Sequence, residues 1–434
     1  MRRRPVGGRC DDGGVLQPYR DVLSRPGALA FSAAGVFARL PISMVGIGIV
    51  LAVSAIYDSY ALAGRVSAVL VVTSALTAPL IARLVDRHGQ ARVMFPALAV
   101  SGAGLSALVA ALALEAPPAA LYATAVVAGV TGQFGSLVRA RWSHLLQRDA
   151  DAVHTAYSLE SALDEVVFVV GPAAATVLAT SVSPTAGIVV PLVSAVLGGT
   201  WLLSQKGTEP PPNPRQEATG GSLVRLPGML VLVLVFLAIG GIFGSTDVST
   251  VAFAEEAGRK SAAGFILAVC AAGSLVSGLL YGARRWVQPL WLRFGIGTVA
   301  LTIGVSLFVL VGSLWALAAV MFVTGFAIAP TLINGNGLVQ EIVPRERLTE
   351  GLTWVGTSLG VGVSIGSSVA GSRIDAAGSH GGFLVVVAAG VTALVAALAA
   401  LPSLRQGHRN RMADELARGH RDEVRVPDED GRAA

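Results

Sequence analysis

Four charged residues, Arg39, Arg139, Glu160 and Asp164, lie within or at the edge of long apolar stretches of the sequence. A charged side chain among apolar neighbours is costly unless it faces a partner or a cavity. Glu160 and Asp164 are four residues apart and therefore share one face of a helix. Burial favours the protonated form of a carboxylate, whereas a neighbouring arginine favours the ionised form. The pattern therefore predicts either proton uptake and release beside an arginine or a fixed ion pair that holds helices together.

The depth of these residues indicates which of them meet. Arg39 lies about as far into its apolar stretch as Asp164 lies in another, so we expect their side chains to meet across a cavity. Arg139 lies at the cytoplasmic end of the stretch 118–140 and is expected near the level of Glu160. Glu165 is expected to point away from this group, because it follows Asp164 directly on the helix.

The composition indicates the elements that position these side chains. The chain is 53% hydrophobic and only 14% charged, with a mean hydropathy of +0.67, whereas soluble domains carry about 25% charged residues. Each apolar stretch exceeds the roughly 20 residues that cross a bilayer as a helix. The sequence therefore predicts an all-α integral membrane protein with twelve transmembrane helices, at 28–55, 61–85, 91–114, 118–140, 153–181, 184–204, 228–254, 261–283, 288–311, 313–337, 349–372 and 381–402.

A proline-rich segment divides the predicted helices six and six. The run from Pro210 to Pro214 favours extended backbone. We therefore predict five regions. These are a loose cytoplasmic N-terminal tail at 1–26, an N-terminal six-helix bundle at 27–204, a cytoplasmic linker at 205–227, a C-terminal six-helix bundle at 228–403 and a cytoplasmic C-terminal tail at 404–434.

The positive charges predict the orientation of the chain. Most of the 32 arginines and lysines fall in the tails, the linker and alternate loops, and the other side receives only Arg259, Lys260 and Arg373. Cytoplasmic loops carry the excess of Lys and Arg, so both termini are predicted to be cytoplasmic, with the protein in the plasma (inner) membrane. This distribution also accounts for the net charge of +5 without a basic face for nucleic acid. Cys10 and Cys270 are too few for a metal site.

A short polar segment between the second and third predicted helices carries a motif. It contains Asp86, Arg87, Gly89 and Arg92, and it resembles the signature loop of the major facilitator superfamily (MFS). The resemblance departs from the family pattern in two places: Ala82 stands where the pattern has glycine, and Gln90-Ala91 stand where it has a basic pair. The resemblance implies two six-helix pseudo-repeat bundles that alternate access to a central cavity.

The signature loop also predicts a gate. Asp86 is expected near the start of the eleventh helix, where Thr349 and Glu350 offer unpaired backbone amides that favour an anion. With Arg139 or Arg141 nearby, Asp86 would form a latch between the two halves. Arg87 and Arg92, by contrast, are interpreted mainly as charges that fix the topology.

Two further features extend the resemblance towards a function. Gly171-Pro172 resembles a dipeptide in the antiporter branch of the superfamily, and the run from Thr155 to Glu165 resembles actinobacterial members. The resemblance implies proton-coupled export of small organic molecules or drugs, with Asp164, Glu160, Arg39 and Arg139 in the coupling site. The alternative is proton-coupled import of sugars or small organic anions on the same fold, with arginines binding the anion.

The remaining expectations concern substrate contacts, partners and chemistry. Asp247, Asn334, Asn336 and Trp354 are candidate cavity residues. The alternatives are a surface acid for Asp247 and interhelical hydrogen bonds for the two asparagines, and for Trp354 the favoured interpretation is an interfacial anchor. No Walker motif, nucleophile elbow or metal-ligand cluster is present in the sequence, so we expect no enzyme activity and no cofactor. The expected partners are the lipid bilayer, a small-molecule substrate and protons, with no nucleic acid, and the protein is expected to be a monomer.

Overall fold

The computed structural model describes residues 16–147, 149–212, 223, 226–259 and 262–424, without the side chains of residues 60, 61, 227 and 400–424. The described residues form helices joined by short turns. A chain confined to hydrocarbon must satisfy its backbone hydrogen bonds within each segment, and an α-helix does so. The architecture is therefore the all-α membrane bundle that the composition predicts.

The N-terminal half contains a short helix followed by seven longer ones. Polar side chains begin two of them: Ser59 Oγ accepts a hydrogen bond from the Leu62 amide at the start of α3, and Asp149 accepts one from the Ala152 amide at the start of α7. The helices are α1 (Gln17–Leu23), α2 (Ala28–Tyr57), α3 (Tyr60–His88), α4 (Gln90–Ala113), α5 (Pro118–Ala128), α6 (Phe134–Leu145), α7 (Ala150–Ser181) and α8 (Ala186–Ser204).

The fourth predicted span is broken, which the sequence analysis did not predict. Residues 129–133 separate α5 from α6 and belong to neither helix. The Ser101 hydroxyl donates to the Ala128 carbonyl at 2.8 Å, and the Thr77 hydroxyl donates to the Gly129 carbonyl at 3.0 Å. These side chains from α4 and α3 replace helical hydrogen bonds to the two carbonyls, so the polar backbone at the break is satisfied within the protein. The prediction of one continuous helix over 118–140 was wrong.

The C-terminal half contains α9 (Pro227–Glu256), α10 (Ala262–Gly282), α11 (Leu290–Ser306), α12 (Leu314–Ile342) and α13 (Leu348–Val424). α13 comprises two helices, because its backbone is non-helical at Ala377 and at Gly378, where φ is +69°. The predicted spans at 349–372 and 381–402 lie on either side of this point. Glu256 fixes it by accepting hydrogen bonds from the amide and the hydroxyl of Ser379.

Among the described residues, ten helices are long and apolar enough to cross a membrane. The count is ten and not the predicted twelve because of two breaks, one at residues 129–133 and one at Ala377 and Gly378. α5 and α6 together make the fourth span, and the two parts of α13 make the eleventh and twelfth. Counted in this way, the structure has the twelve-span arrangement that the sequence predicts.

The first 26 residues are not a loose tail throughout. The helix α1 lies within the predicted tail, with Tyr19 and Val22 buried. The prediction was wrong for this segment because two apolar side chains in a polar sequence give little periodicity to recognise. The residues before α1 lie outside the described part of the chain, as do residues 213–222 of the predicted extended linker.

The buried apolar side chains form clusters that stay within one half of the chain. One cluster runs from Leu223 to Ala397, and two others run from Val22 to Leu203 and from Val45 to Ile188. Between the halves, α3 and α6 pack against α13, and α7 packs against α10 and α12. Each half thus has its own core, and the halves meet along a few helices.

Candidate functional site

The charged residues of the N-terminal half form one connected network. Arg39 on α2 lies 2.6 Å from Glu160 and 2.7 Å from Asp164, both on α7. Arg139 on α6 lies 2.6 Å from the other oxygen of Asp164. The expected meeting of Arg39 and Asp164 is therefore present. The network, which we call the coupling network, contains two cations and two anions and is balanced in charge.

Glu160 has no free hydrogen-bonding capacity towards solvent. It is 0% exposed, and Arg39 occupies its Oε2 atom. Its Oε1 atom accepts from the Ser32 hydroxyl at 2.7 Å and from the Trp142 indole at 2.8 Å. Three helices, α2, α6 and α7, therefore converge on this carboxylate through Glu160 itself and these three donors. Ser32 and Trp142 were not predicted, because spacing on one helix does not indicate which donors other helices supply.

Asp164 is more accessible to solvent than Glu160. Its side chain is 28% exposed although it contacts both arginines. Arg39 is further anchored by its Nε, which donates to the Gly35 carbonyl at 3.0 Å. Arg139 carries a buried Nε with no hydrogen-bond partner in the described part of the structure. Asp164 and Arg139 are therefore the members of the network that can rearrange at least cost.

Glu165 occupies a different environment, as expected. It lies against Ser274 of α10, across the boundary between the halves. Glu165 and Asp247 both lie within electrostatic range of Cys270. Glu165 therefore faces the C-terminal half instead of the two arginines.

Asp86 contacts the start of α13. Its Oδ1 accepts from the Thr349 amide at 3.2 Å, and its Oδ2 accepts from the Glu350 amide at 2.8 Å. We call this pair of hydrogen bonds the Asp86 latch. The unpaired amides and the partial positive charge of the helix N-terminus favour a carboxylate there. The contact predicted from the sequence is therefore present, and its role as a gate stays a prediction.

The arginines expected beside Asp86 bind elsewhere. Arg139 binds Asp164, and the fully buried Arg141 donates to Gln90. Both arginines lie on α6, at the end of the fourth span as predicted. The latch consists of a carboxylate and backbone amides, without either arginine.

A second contact between the halves was not predicted. The Tyr19 hydroxyl donates to the Leu279 carbonyl at 2.6 Å, and the Thr155 hydroxyl donates to the Gly282 carbonyl at 2.8 Å. His154 Nε2 lies 3.2 Å from the Tyr281 carbonyl oxygen. Carbonyls at a helix C-terminus lack helical partners, so these side chains cap α10. We call this contact the α10 clasp.

Burial raises the pKa of the Tyr19 phenol above its ordinary value. Tyr19 therefore remains a hydrogen-bond donor throughout the physiological pH range. The clasp also packs tightly, since the backbone of Gly282 lies against Ser158 and the Tyr19 hydroxyl, leaving no room for a side chain.

Several hydrogen bonds between the two halves lie at one end of the bundle. They include the Asp86 latch, the α10 clasp and a hydrogen bond of 2.7 Å between the hydroxyls of Ser136 and Thr353. This end also carries the signature loop and the α12–α13 connection, and we call it the arginine-rich end. It is therefore the closed end of the structure.

The two arginines of the signature loop lie at the surface of the closed end, whereas Gly89 is buried. Arg87 and Arg92 are exposed. Gly89 joins α3 to α4 with φ at +97°, a conformation that favours glycine. The glycine of the motif thus permits a tight turn.

The weaker candidates are dispersed. Asp247 is exposed on α9, whereas Asn334 is buried and accepts from the Tyr281 hydroxyl at 3.0 Å. Asn336 is buried and donates to the Leu332 carbonyl of its own helix at 2.9 Å. The half-buried Trp354 has an indole N–H without a hydrogen-bond partner among the described residues. In this conformation the two asparagines make internal hydrogen bonds, and their role as substrate contacts stays a prediction.

The described residues contain no group of three or more His, Cys, Asp or Glu side chains that could hold a metal ion. The chemistry that the coupling network offers is the exchange of one carboxylate between two arginines, with Asp164 as the most solvent-exposed member of the network. A twelve-span helical bundle with such a network in one half and a closed end between halves defines a multi-pass membrane protein of the transporter class.

The family comparison agrees. The model of the Major Facilitator Superfamily matches residues 31–301 and 259–422. The chain belongs to this superfamily, whose members are transporters. No curated protein sequence matches the chain.

Solved structures of transporters have a similar fold. The human organic anion transporter MFSD10 (TETRAN) is 14% identical, with a TM-score of 0.66 over 86% of this chain and 100% of that one. A bacterial homologue of the iron transporter ferroportin in an outward-facing state is 16% identical, with a TM-score of 0.68 over 87% of this chain and 99% of that one. A structure of a bacterial ferroportin homologue in an outward-facing state with soaked iron is 15% identical, with a TM-score of 0.64 over 88% of this chain and 99% of that one. At these identities the likeness concerns the fold.

Proposed function

We propose that the chain is a proton-coupled exporter of small organic molecules that works by alternating access. The observation that carries the proposal is Asp164, a partly exposed carboxylate held between Arg39 and Arg139 at 2.7 and 2.6 Å. Protonation of Asp164 would remove the charge that attracts both arginines. The network would then hold one net positive charge, and the packing of α2, α6 and α7 would change.

Access from one side at a time is supported by the closed arginine-rich end. The positive charges favour a cytoplasmic location for this end, so the described conformation would be outward-facing. A proton entering from outside would reach Asp164 while the Asp86 latch and the α10 clasp hold the cytoplasmic end closed. Release of those contacts would then expose the network to the cytoplasm. The cycle takes up a proton outside and releases it inside, as export by antiport requires.

Several narrower assignments belong to this proposal. The Gly171-Pro172 dipeptide in α7 supports the antiporter branch, and the resemblance to actinobacterial members supports a bacterial plasma membrane as the location. Both termini would be cytoplasmic, and the working unit would be a monomer with no resident cofactor.

Everted membrane vesicles that contain the protein test the proposal. The vesicle lumen is acidified, and a pH-sensitive dye reports collapse of the proton gradient when lipophilic cations, antibiotics or sugars are added. We expect a subset of compounds to collapse the gradient, and Asp164→Asn to abolish the response. Asp375→Asn, which changes an exposed carboxylate, is the matched control and should respond like the unmodified protein.

The outcome that would contradict the proposal is an unchanged response in correctly inserted Asp164→Asn. If none of the compounds collapses the proton gradient although the protein is correctly inserted, the second candidate function below is favoured.

The second candidate is a transporter of small organic anions. The unpartnered Nε of Arg139 favours it, and one structural neighbour is a human organic anion transporter. An anionic substrate would compete with Asp164 for the two arginines. In that case Arg139→Gln would abolish uptake of a labelled carboxylate into right-side-out vesicles, and Asp164→Asn would retain binding.

A further inference from the structure

An apolar groove lies on the outer surface of the N-terminal half, between α4 and α8. Its volume is about 470 Å³. Phe95, Val193 and Leu197, which line it, are 40%, 49% and 64% exposed. In a bilayer this surface faces lipid, so the groove is open to acyl chains along its length.

The groove offers no free polar group to an occupant. Its two hydroxyl-bearing lining residues are Ser106 and Thr200. The Ser106 hydroxyl donates to the Gly102 carbonyl at 2.8 Å, and the Thr200 hydroxyl donates to the Val196 carbonyl at 2.6 Å. Both hydroxyls are therefore satisfied within their own helices, and the groove suits a purely apolar chain.

Two positive charges lie where the groove reaches the arginine-rich end. Arg92 precedes Phe95 by three residues and shares its helix face. Lys206 begins the short 3-10 turn directly after α8. Both side chains are exposed, and neither has an ion-pair partner among the described residues.

A buried polar network holds these two helix ends together. Arg141 donates to Gln90 Oε1 at 2.7 Å, to the Gln205 carbonyl at 2.9 Å and to Thr208 Oγ1 at 2.9 Å. Glu209 accepts from the Ala91 amide at 3.1 Å. The turn carrying Lys206 is thereby fixed beside the start of α4, where Arg92 lies.

Within the described part of this region, neither Arg92 nor Lys206 forms an ion pair with a carboxylate. The only carboxylate in the network, Glu209, is occupied by the Ala91 amide and lies within electrostatic range of Arg141. A phosphodiester at the bilayer surface would supply the missing negative charge, as anionic headgroups do at basic sites on the cytoplasmic side.

We propose that the α4–α8 groove binds an anionic phospholipid, with one acyl chain in the groove and the headgroup phosphate at Arg92 and Lys206. The site is separate from the coupling network. Arg92, which the sequence analysis interpreted as a topological charge, would then have a ligand-binding role.

Native mass spectrometry of the full chain, purified in a non-ionic detergent, tests the proposal. The protein is titrated with phosphatidylglycerol and with phosphatidylcholine of the same acyl chains. We expect at least fivefold greater retention of phosphatidylglycerol. The double variant Arg92→Gln with Lys206→Gln should retain both lipids equally. Arg259→Gln, at the opposite end, is the charge control and should keep the preference.

A variant that fills the groove tests the position of the acyl chain. A Cβ at Gly102 would lie 3.7 Å from Leu192 and 3.9 Å from Val196, so Gly102→Leu should fit and occupy the groove. We expect it to lower retention of both lipids at least fivefold. Gly64→Leu, at a glycine with open space around it, should not. If Gly102→Leu does not fold, Ser106→Leu fills the same groove.

Three outcomes would overturn the proposal. The first is equal retention of the two lipids by the unmodified protein. The second is an unchanged preference in the double variant. The third is a protein dimer that Gly102→Leu dissociates without any change in lipid retention, which would assign the groove to a second copy of the chain.

Discussion

Replacing Asp86 by Asn should shift the protein away from the conformation described here. The Asp86 carboxylate accepts amides of Thr349 and Glu350 at 3.2 and 2.8 Å across the two halves. Asn retains one acceptor oxygen but places an NH₂ group against the other amide. The variant therefore loses one hydrogen bond to a charged group, which contributes about 1.5–3 kcal/mol.

The magnitude follows from the burial of the carboxylate. Asp86 is half-buried, so solvent screens part of the interaction and the lower value, about 1.5 kcal/mol, applies. That corresponds to about a tenfold change in the equilibrium between the closed and open arginine-rich end. The folded state of each half should be unaffected, because the latch joins the halves and belongs to neither core.

Double electron–electron resonance between two spin labels measures this equilibrium. Leu114 and Leu310 are each 79% exposed at the end opposite the latch, one in each half, and can be changed to cysteine after Cys10 and Cys270 are replaced by serine. If that end narrows as the latch end opens, Asp86→Asn should increase the ratio of short to long distances about tenfold.

A matched control is available in the same half. Asp149 also accepts a backbone amide at a helix start, from Ala152 at 3.0 Å, but this contact lies within one half. Asp149→Asn should leave the distance distribution unchanged. Identical distributions for Asp86→Asn and the unmodified protein, with both folded, would refute the reasoning.

Two further variants separate structural from conformational roles. Glu160→Gln should lower the free energy of unfolding by about 3–5 kcal/mol, because it leaves Arg39 with one buried ionic partner fewer. A thermal unfolding scan measures this change. An unchanged Tm would contradict the prediction. Tyr19→Phe removes the hydrogen bond to Leu279 and should shift the same spin-label equilibrium about fivefold towards the open arginine-rich end. Tyr57→Phe is its control, because the Tyr57 hydroxyl donates at the same length, 2.6 Å, to a carbonyl within one half, and an equal shift in both variants would exclude a gating role for Tyr19.

The sequence predicts the spans well because hydrocarbon thickness imposes length and hydropathy on each of them. It predicts the contact of Asp86 because unpaired amides at a helix start favour a carboxylate. The break at residues 129–133 was not predictable, since its backbone is stabilised by Thr77 and Ser101, which belong to other helices.

The candidate site shows the same limit. Spacing alone placed Glu160 and Asp164 on one face and paired Asp164 with Arg39. It did not distinguish the two carboxylates, because their difference arises from Ser32 and Trp142, which reach Glu160 from two other helices. Burial by distant segments therefore separates the fixed member of the network from the accessible one.

Two of the contacts at the arginine-rich end, the Asp86 latch and the α10 clasp, differ in charge. The Asp86 latch is a carboxylate on amides, whereas the α10 clasp joins hydroxyl and imidazole groups to carbonyls. Next to the clasp, Arg293 lies within electrostatic range of His154, and Arg285 and Asp151 form a loose, exposed pair at 3.6 Å, which contributes little. Ionic strength and membrane voltage act on charges, so they should affect the Asp86 latch more than the hydrogen bonds of the clasp. A change in voltage or salt is therefore expected to loosen the contact of α3 with α13 before the contact of α7 with α10.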